Sequence, residues 1–205
     1  IVGLSSFGLA TYEKEYNSGI GSNGLTSARH DIFSNYLAKK YPESFNPLIP
    51  EELVYSGSKK LTDLFIKNLT FGKMALSPTR TYLPVMKSIL SNCDRKKING
   101  IIHCTGGGQT KVLHFVDKLH IIKDNMFDVP PLFKLIQSES ATNWKEMYKV
   151  FNMGHRMELY VSRDIAQNII DIAESFNVDA KIIGRVEDSV HKRLTIKSEF
   201  GEFKY

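Results

Sequence analysis

The chain has 205 residues, with 27 Lys and Arg against 22 Asp and Glu, a net charge of +5, 42% apolar residues and two cysteines. That length builds the core of one domain, and no apolar run reaches the roughly 18–20 residues that span a bilayer, so no membrane partner is expected. The basic residues are scattered among acids outside residues 94–97, so no nucleic-acid partner is expected; Cys93 and Cys104 form no CxxC pair, which sets no metal site and fits a reducing cytoplasm.

In chain order, the sequence opens at Ile1 inside an apolar stretch without Met, which suggests a fragment or a processed product. Ile-Val-Gly also starts activated serine proteases, but no Gly-Asp-Ser-Gly nucleophile segment follows. Residues 1–5 read as the end of a strand, with a turn at Gly8, and 11–21 as a polar loop. Leu25, Ala28, Ile32, Phe33, Tyr36 and Leu37 recur at three- and four-residue spacing and predict one helix face, with Ser22 or Asn23 as N-cap. Pro42, Pro47 and Pro50 break the next stretch into loop. Leu61, Leu64, Phe65 and Leu69 suggest a short helix, and residues 76–82, with Pro78, an extended or turned segment.

Pro84 opens a helix over 85–90, and 98–104 reads as a buried strand. A short helix is expected over 110–116 and a strand over 119–122. Pro131 starts a helix holding Leu132, Leu135 and Ile136, and Asn143 caps another over 144–151. Residues 157–161 read as a strand, and Ile165, Ile169, Ile170, Ile172, Ala173 and Phe176 as an amphipathic helix. Strands over 180–186 and 194–196 close the chain. Interleaved strands and helices give an α/β class: a mixed β-sheet with flanking helices, in a single domain over 1–205.

Residues 101–110 read IIHCTGGGQT. A strand running into glycines and then a helix start can bind an anion, because absent Cβ atoms let backbone N–H groups approach phosphate oxygens. The pattern is neither a Walker A loop nor GxGxxG. A tight turn packed on another element accounts for the same glycines. Ser22-Asn23-Gly24 is a second turn of this type, with an ordinary N-cap as its plain reading. Phe151-Asn152-Met153-Gly154 is a third, read plainly as a helix C-cap. Arg80 suits bidentate phosphate binding or a simple salt bridge. Asn152 suits ligand hydrogen bonds or turn capping, and His103 a ligand contact or a half-buried strand position. His114, His120, Asp117 and Asp124 lack metal-ligand spacing.

Five blocks occur in order: Asn23-Gly24 before a helix, Pro78-Thr79-Arg80-Thr81-Tyr82, His103-Cys104-Thr105-Gly106-Gly107-Gly108, Pro130-Pro131-Leu132-Phe133, and Glu146-Met147-Tyr148 followed by Phe151-Asn152-Met153-Gly154. Over residues 1 to about 185 this set resembles the C-terminal domain of aminoimidazole ribonucleotide synthetase, also called phosphoribosylformylglycinamidine cyclo-ligase. The resemblance implies that family's fold, not a Rossmann fold. It implies ATP-dependent ring closure of formylglycinamidine ribonucleotide in purine biosynthesis, in a cytoplasmic homodimer. ATP and Mg2+ would be held mainly by an N-terminal domain that these residues do not include, and no turnover is expected from them alone. Ser22, Asn23, Gly24, Arg80, His103, Thr105, Gly106, Gly107, Gly108 and Asn152 are the implied substrate- or phosphate-binding residues; no catalytic residue is singled out.

The chain departs from the family at three places. Gly21 stands where a His is usual, Lys111-Val112-Leu113-His114 replaces an Asn-Ile-Pro-Arg segment, and His155-Arg156 replaces small residues. Two other readings stay open: a related ATP-dependent synthetase of the same superfamily, or a non-catalytic ligand-binding domain. Among the former, the hydrogenase-maturation carbamoyl dehydratase needs a C-terminal Cys where this chain ends Phe203-Lys204-Tyr205.

Overall fold

In chain order the strands are β1 (Val2–Ser5), β2 (Phe7–Gly8), β3 (Asn17–Ser18), β4 (Leu64–Ile66), β5 (Leu69–Thr70), β6 (Ile98–His103), β7 (Leu119–Lys123), β8 (His155–Val161), β9 (Ala180–Ile182), β10 (Gly184–Asp188), β11 (Arg193–Ser198) and β12 (Gly201–Lys204). The helices are α1 (Ser22–Ile32), α2 (Tyr36–Lys40), α3 (Phe71–Ala75), α4 (Leu83–Asn92), α5 (Pro131–Ser140), α6 (Trp144–Val150) and α7 (Ala166–Ser175). The structure is a computed structural model that describes residues 1–66 and 68–205; the side chains of Ser22 and Asn23 lie outside the described set.

Two four-stranded sheets carry the architecture. The first, in the order β6-β8-β1-β9, is antiparallel throughout. The second, β10-β7-β11-β12, is mixed: β7 and β11 run parallel and the other pairs antiparallel. The α/β class and mixed pairing stand, with the strands divided between two sheets. Parallel pairing among the named strands of the described residues is confined to β7 and β11, unlike the parallel sheet of a Rossmann fold.

Each sheet closes its own core. Val2, Leu4 and Leu159 of the first sheet meet Val85 and Ile89 of α4 and Ile169, Ile170 and Ala173 of α7. The second core joins Ile121, Leu194 and Ile196 to Ala28 and Ile32 of α1, Phe133 and Ile136 of α5, and Met147 and Tyr148 of α6. Each buried aliphatic side chain contributes about 1.5–3 kcal/mol relative to exposure. The apolar stripe read from Ile165 to Phe176 is the buried face of α7.

Four local expectations are corrected. The helix face read from Leu25 to Leu37 breaks after Ile32, because Ser56 N–H and Lys59 N–H take the carbonyls of His30 and Ile32 (2.8 and 3.0 Å). A Cβ on Gly57 would lie 2.2 Å from Ile32 O, so only glycine lets this segment cross so closely. Leu64 and Leu69 belong to a β4–β5 hairpin, not a helix; Asn68 takes φ +65° in its turn. β6 is an edge strand with alternating half-buried and exposed residues, not a buried one. Residues 180–186 change sheets at buried Ile183, whose carbonyl accepts from Asp124 and Asn125 N–H (both 3.1 Å). Among the described residues no helix is long and apolar enough to cross a membrane.

Candidate anion-binding site

The three glycines answer to different constraints. Gly106 and Gly107 take φ +58° and +92°, where a side chain is strained. Gly108, at φ +47°, is pressed against the end of α6: a Cβ there would lie 2.5 Å from Phe151 O and 2.8 Å from Tyr148 O. Gly108, also a predicted site residue, is not among the residues that line the hollow described below; carbonyl oxygens fill the side its Cβ would take.

The helix after the first turn also begins differently. Gly21 is the N-cap of α1, in place of Ser22 or Asn23, with φ −114° and no side-chain cap. Ser22 and Asn23 themselves are predicted site residues whose side chains fall outside the described set. With no cap at Gly21 and no acid in the first turn, α1 presents its positive end without a carboxylate of its own. Gly24 packs on Phe151, whose ring carbon would lie 2.7 Å from a Cβ at that position.

These turns meet. A hollow of about 20 Å3 is lined by Gly21 and Gly24 of the first turn, Cys104, Thr105 and Gly106 of the glycine segment, Val150, Phe151 and Asn152 of the third turn, and Arg156. Among the described residues no carboxylate lines it. The N–H groups of Gly106 and Gly107 have no acceptor among the described residues. A larger cleft of about 940 Å3 lies between the sheets, lined by apolar residues such as Ile102, Phe115 and Tyr160. It contains none of the predicted residues, so the small hollow is the candidate site.

Arg156, noted in the sequence only as a departure, is the residue that the site reading missed. It is fully buried on β8. Its NH1 donates to Ile20 O (3.1 Å) and its NH2 to Arg80 O (2.8 Å), while Nε has no partner among the described residues. Burial pulls its guanidinium below the ordinary arginine value, and Tyr82, whose ring centre lies 5.9 Å away, opposes that. The available signal was a His-Arg pair at the start of β8, ahead of Met157, Leu159 and Val161.

The other predicted residues divide. Thr105 lines the hollow, and its carbonyl accepts from Lys111 Nζ at 2.6 Å. His103 stands nearby at the surface end of β6; burial, Arg156 and Lys111 all lower its pKa. Asn152 lines the hollow, but its amide is engaged: Nδ2 donates to Gly19 O (2.8 Å), and Oδ1 accepts from Ser6 Oγ (2.7 Å) and Gly154 N–H (3.2 Å). This is the turn-capping reading. Arg80 is committed elsewhere: Nε and NH2 clamp Glu13 at 2.9 and 2.8 Å, and NH1 donates to Ser5 O at 3.0 Å. It forms the salt bridge that was its plain alternative.

Behind the hollow, a buried polar cluster fixes the three turns. Glu158 accepts from Lys123 and Tyr160 and bonds His155 Nε2 at 2.9 Å. Burial alone would raise the Glu158 carboxyl; Lys123 and His155 outweigh that and hold it well below the usual carboxylate range. Gln109, on the turn after the glycines, donates to Asn152 O (2.5 Å) and His155 O (3.0 Å), and its Oε1 accepts from Lys123 (2.9 Å). Burial and then the Glu158 charge raise the Cys104 thiol, so it is no nucleophile at neutral pH. The arrangement offers backbone N–H groups, a helix N-terminus and one buried cation, which can bind and orient an anion; it offers no acid–base pair.

A family profile described as AIR synthase related protein, C-terminal domain, matches residues 1–197. A phosphoribosylformylglycinamidine cyclo-ligase of Methanococcus vannielii is 32% identical over 183 residues, covering 89% of this chain and 46% of that protein. Enzymes of the same name from Methanopyrus kandleri (31%, 84% of this chain, 42% of that protein) and Carboxydothermus hydrogenoformans (32%, 83% and 43%) are similar. The crystal structure of E. coli HypE covers 90% of this chain and 46% of its own, with a TM-score of 0.46 and 17% identity. The chain spans under half the length of these curated relatives. On the profile match and these relatives together, the chain belongs to the AIR synthase related protein family, as its C-terminal domain.

Proposed function

We propose that this chain is the substrate-closing part of an ATP-dependent cyclo-ligase that converts formylglycinamidine ribonucleotide to 5-aminoimidazole ribonucleotide in purine biosynthesis. Its own task is to seat the ribonucleotide's phosphate. The observation that carries this reading is the convergence of Gly21 and Gly24, Thr105 and Gly106, and Asn152 with Arg156 on one hollow without a carboxylate. Such a set binds negative charge through main-chain N–H groups and a helix N-terminus. Holding the phosphate fixes the distance and angle at which the rest of the substrate reaches the reacting centre.

ATP would phosphorylate the formyl oxygen with release of ADP, and attack by a nitrogen of the same substrate on the formyl carbon would then expel that oxygen as phosphate. Among the described residues no group of three or more His, Cys, Asp or Glu stands close enough to hold a metal ion. ATP and magnesium belong in this reading to an N-terminal domain, which also supplies the contacts of a homodimer, and the protein works in the cytoplasm. Joining the chain to an N-terminal half and assaying ATP-dependent 5-aminoimidazole ribonucleotide formation is the test. Turnover supports the reading; a folded joined protein that leaves the substrate unchanged rejects it.

A further inference from the structure

We propose that Arg156 is the charged floor of the hollow, and that its Nε–H is held for one oxygen of a phosphate monoester. The inference deepens the proposed function and rests on its assignment of the hollow to a phosphate.

A guanidinium has five donors and cannot shed its charge in a protein. Arg156 is completely buried, which demands either a paired anion or several ordered acceptors. Its two recorded acceptors are neutral carbonyls, Ile20 O and Arg80 O, which fix the plane of the group without neutralising it. The neighbouring acids are taken. Glu13 is clamped by Arg80, and Glu158 by Lys123, His155 and Tyr160. Nε is left buried and unpartnered among the described residues. The group lines the one hollow where the first, second and third turns meet.

Three further observations point the same way. A Cβ on Gly21 would lie 3.0 Å from Arg156 NH1, so the N-cap glycine of α1 gives the guanidinium room beside the helix's positive end. His103 and Lys111 stand around the same segment; burial first, then the positive charges of Arg156 and Lys111, lower the His103 pKa. The hollow, at about 20 Å3, has room for one oxygen-sized group. One phosphoryl oxygen fits there against Arg156, with the remaining oxygens at the mouth beside exposed Gly106. Charge-assisted hydrogen bonds of this kind are about twice as strong as neutral ones.

The test is a titration of the protein with ribose 5-phosphate, with ribose as the uncharged control, followed by NMR of the Arg156 Nε–H and the Gly24 and Gly106 amides. The expected result is saturable movement of all three with ribose 5-phosphate and none with ribose. Arg156→Met should weaken binding by at least about tenfold, equal to ~1.4 kcal/mol, and Arg156→Lys should recover part of it. If the amides move while Nε–H does not, and Arg156→Met binds as well as the parent, the role of Arg156 is overturned and the phosphate reading stands. If no saturable change occurs at Gly24 or Gly106, both fall. Should Arg156→Met fail to fold, the parent's Nε–H signal decides alone.

Discussion

A methyl group placed on Gly108 would stand 2.5 Å from the carbonyl oxygen of Phe151, closer than any real carbon approaches a backbone oxygen. The glycine segment is therefore docked on the C-terminal end of α6. Gly108→Ala should cost about 3 kcal/mol or more, from backbone strain and steric displacement together. Gly107→Ala, with its nearest neighbour 3.7 Å away, should cost only the strain of a positive φ, about 1–2 kcal/mol. Denaturant midpoints of the two variants check this. Equal losses would show that conformation, not close approach, selects Gly108.

The Arg80–Glu13 clamp is a second stability element. The Arg80 side chain is fully buried and that of Glu13 nearly so. Glu13→Gln leaves the guanidinium without its counter-charge and should destabilise by about 3–5 kcal/mol. Thermal unfolding of that variant measures it; a change under 1 kcal/mol, the range of an exposed pair, would reject a structural clamp.

For Lys123 and Glu158 the single and double changes should diverge. Glu158→Gln strands a buried ammonium and should cost about 3–5 kcal/mol, whereas Lys123→Met with Glu158→Leu should regain much of that loss. Chemical denaturation of the three proteins forms the comparison. A double variant that loses as much as Glu158→Gln or more would contradict the coupling.

Stability should fall as the solution is acidified. Burial, against the opposing pull of Glu158, lowers the His155 pKa; burial and two neighbouring cations lower that of His103. The unfolded chain then binds protons below about pH 6.5 that the folded chain refuses, and folding weakens from that point downward. Glu158 acts in the same direction at lower pH. Its depressed carboxyl stabilises the fold above about pH 4.3, and that contribution is lost as pH falls toward its folded value. Denaturation at pH 7.5 and 5.5 should give a higher stability at 7.5; the reverse order would refute the assignment.

The cap of α6 is the simplest case. Asn143 Oδ1 accepts from Glu146 N–H at 2.9 Å, so Asn143→Ala should cost about 1 kcal/mol, read as a shift in midpoint with an unchanged slope.

Local physics made some of this legible from residues alone. Asn143 before an apolar helix, Pro131 at a helix start and the spacing from Ile165 to Phe176 each depend on near neighbours, and each appears where the sequence places it. Tertiary contact decided the rest. Nothing within residues 25–37 shows that Ser56 and Lys59 will take the carbonyls of α1. The β4–β5 hairpin depends on Asn68 adopting a left-handed turn, and apolar spacing alone reads that stretch as helix. The site shows the same division. Glycine runs marked the turns, but the meeting of those turns required the fold. Arg156, among the described residues that line the hollow, shows its idle donor only in the fold.

Asn152 touches every part of that meeting: Ser6 after β1, Gly19 before α1, Gly154 in its own turn, and Gln109 through its carbonyl. Four linkages through one residue turn separate bends into a single casting. A ligand arriving there meets a keyhole already cut. Free and liganded forms should superpose at these bends.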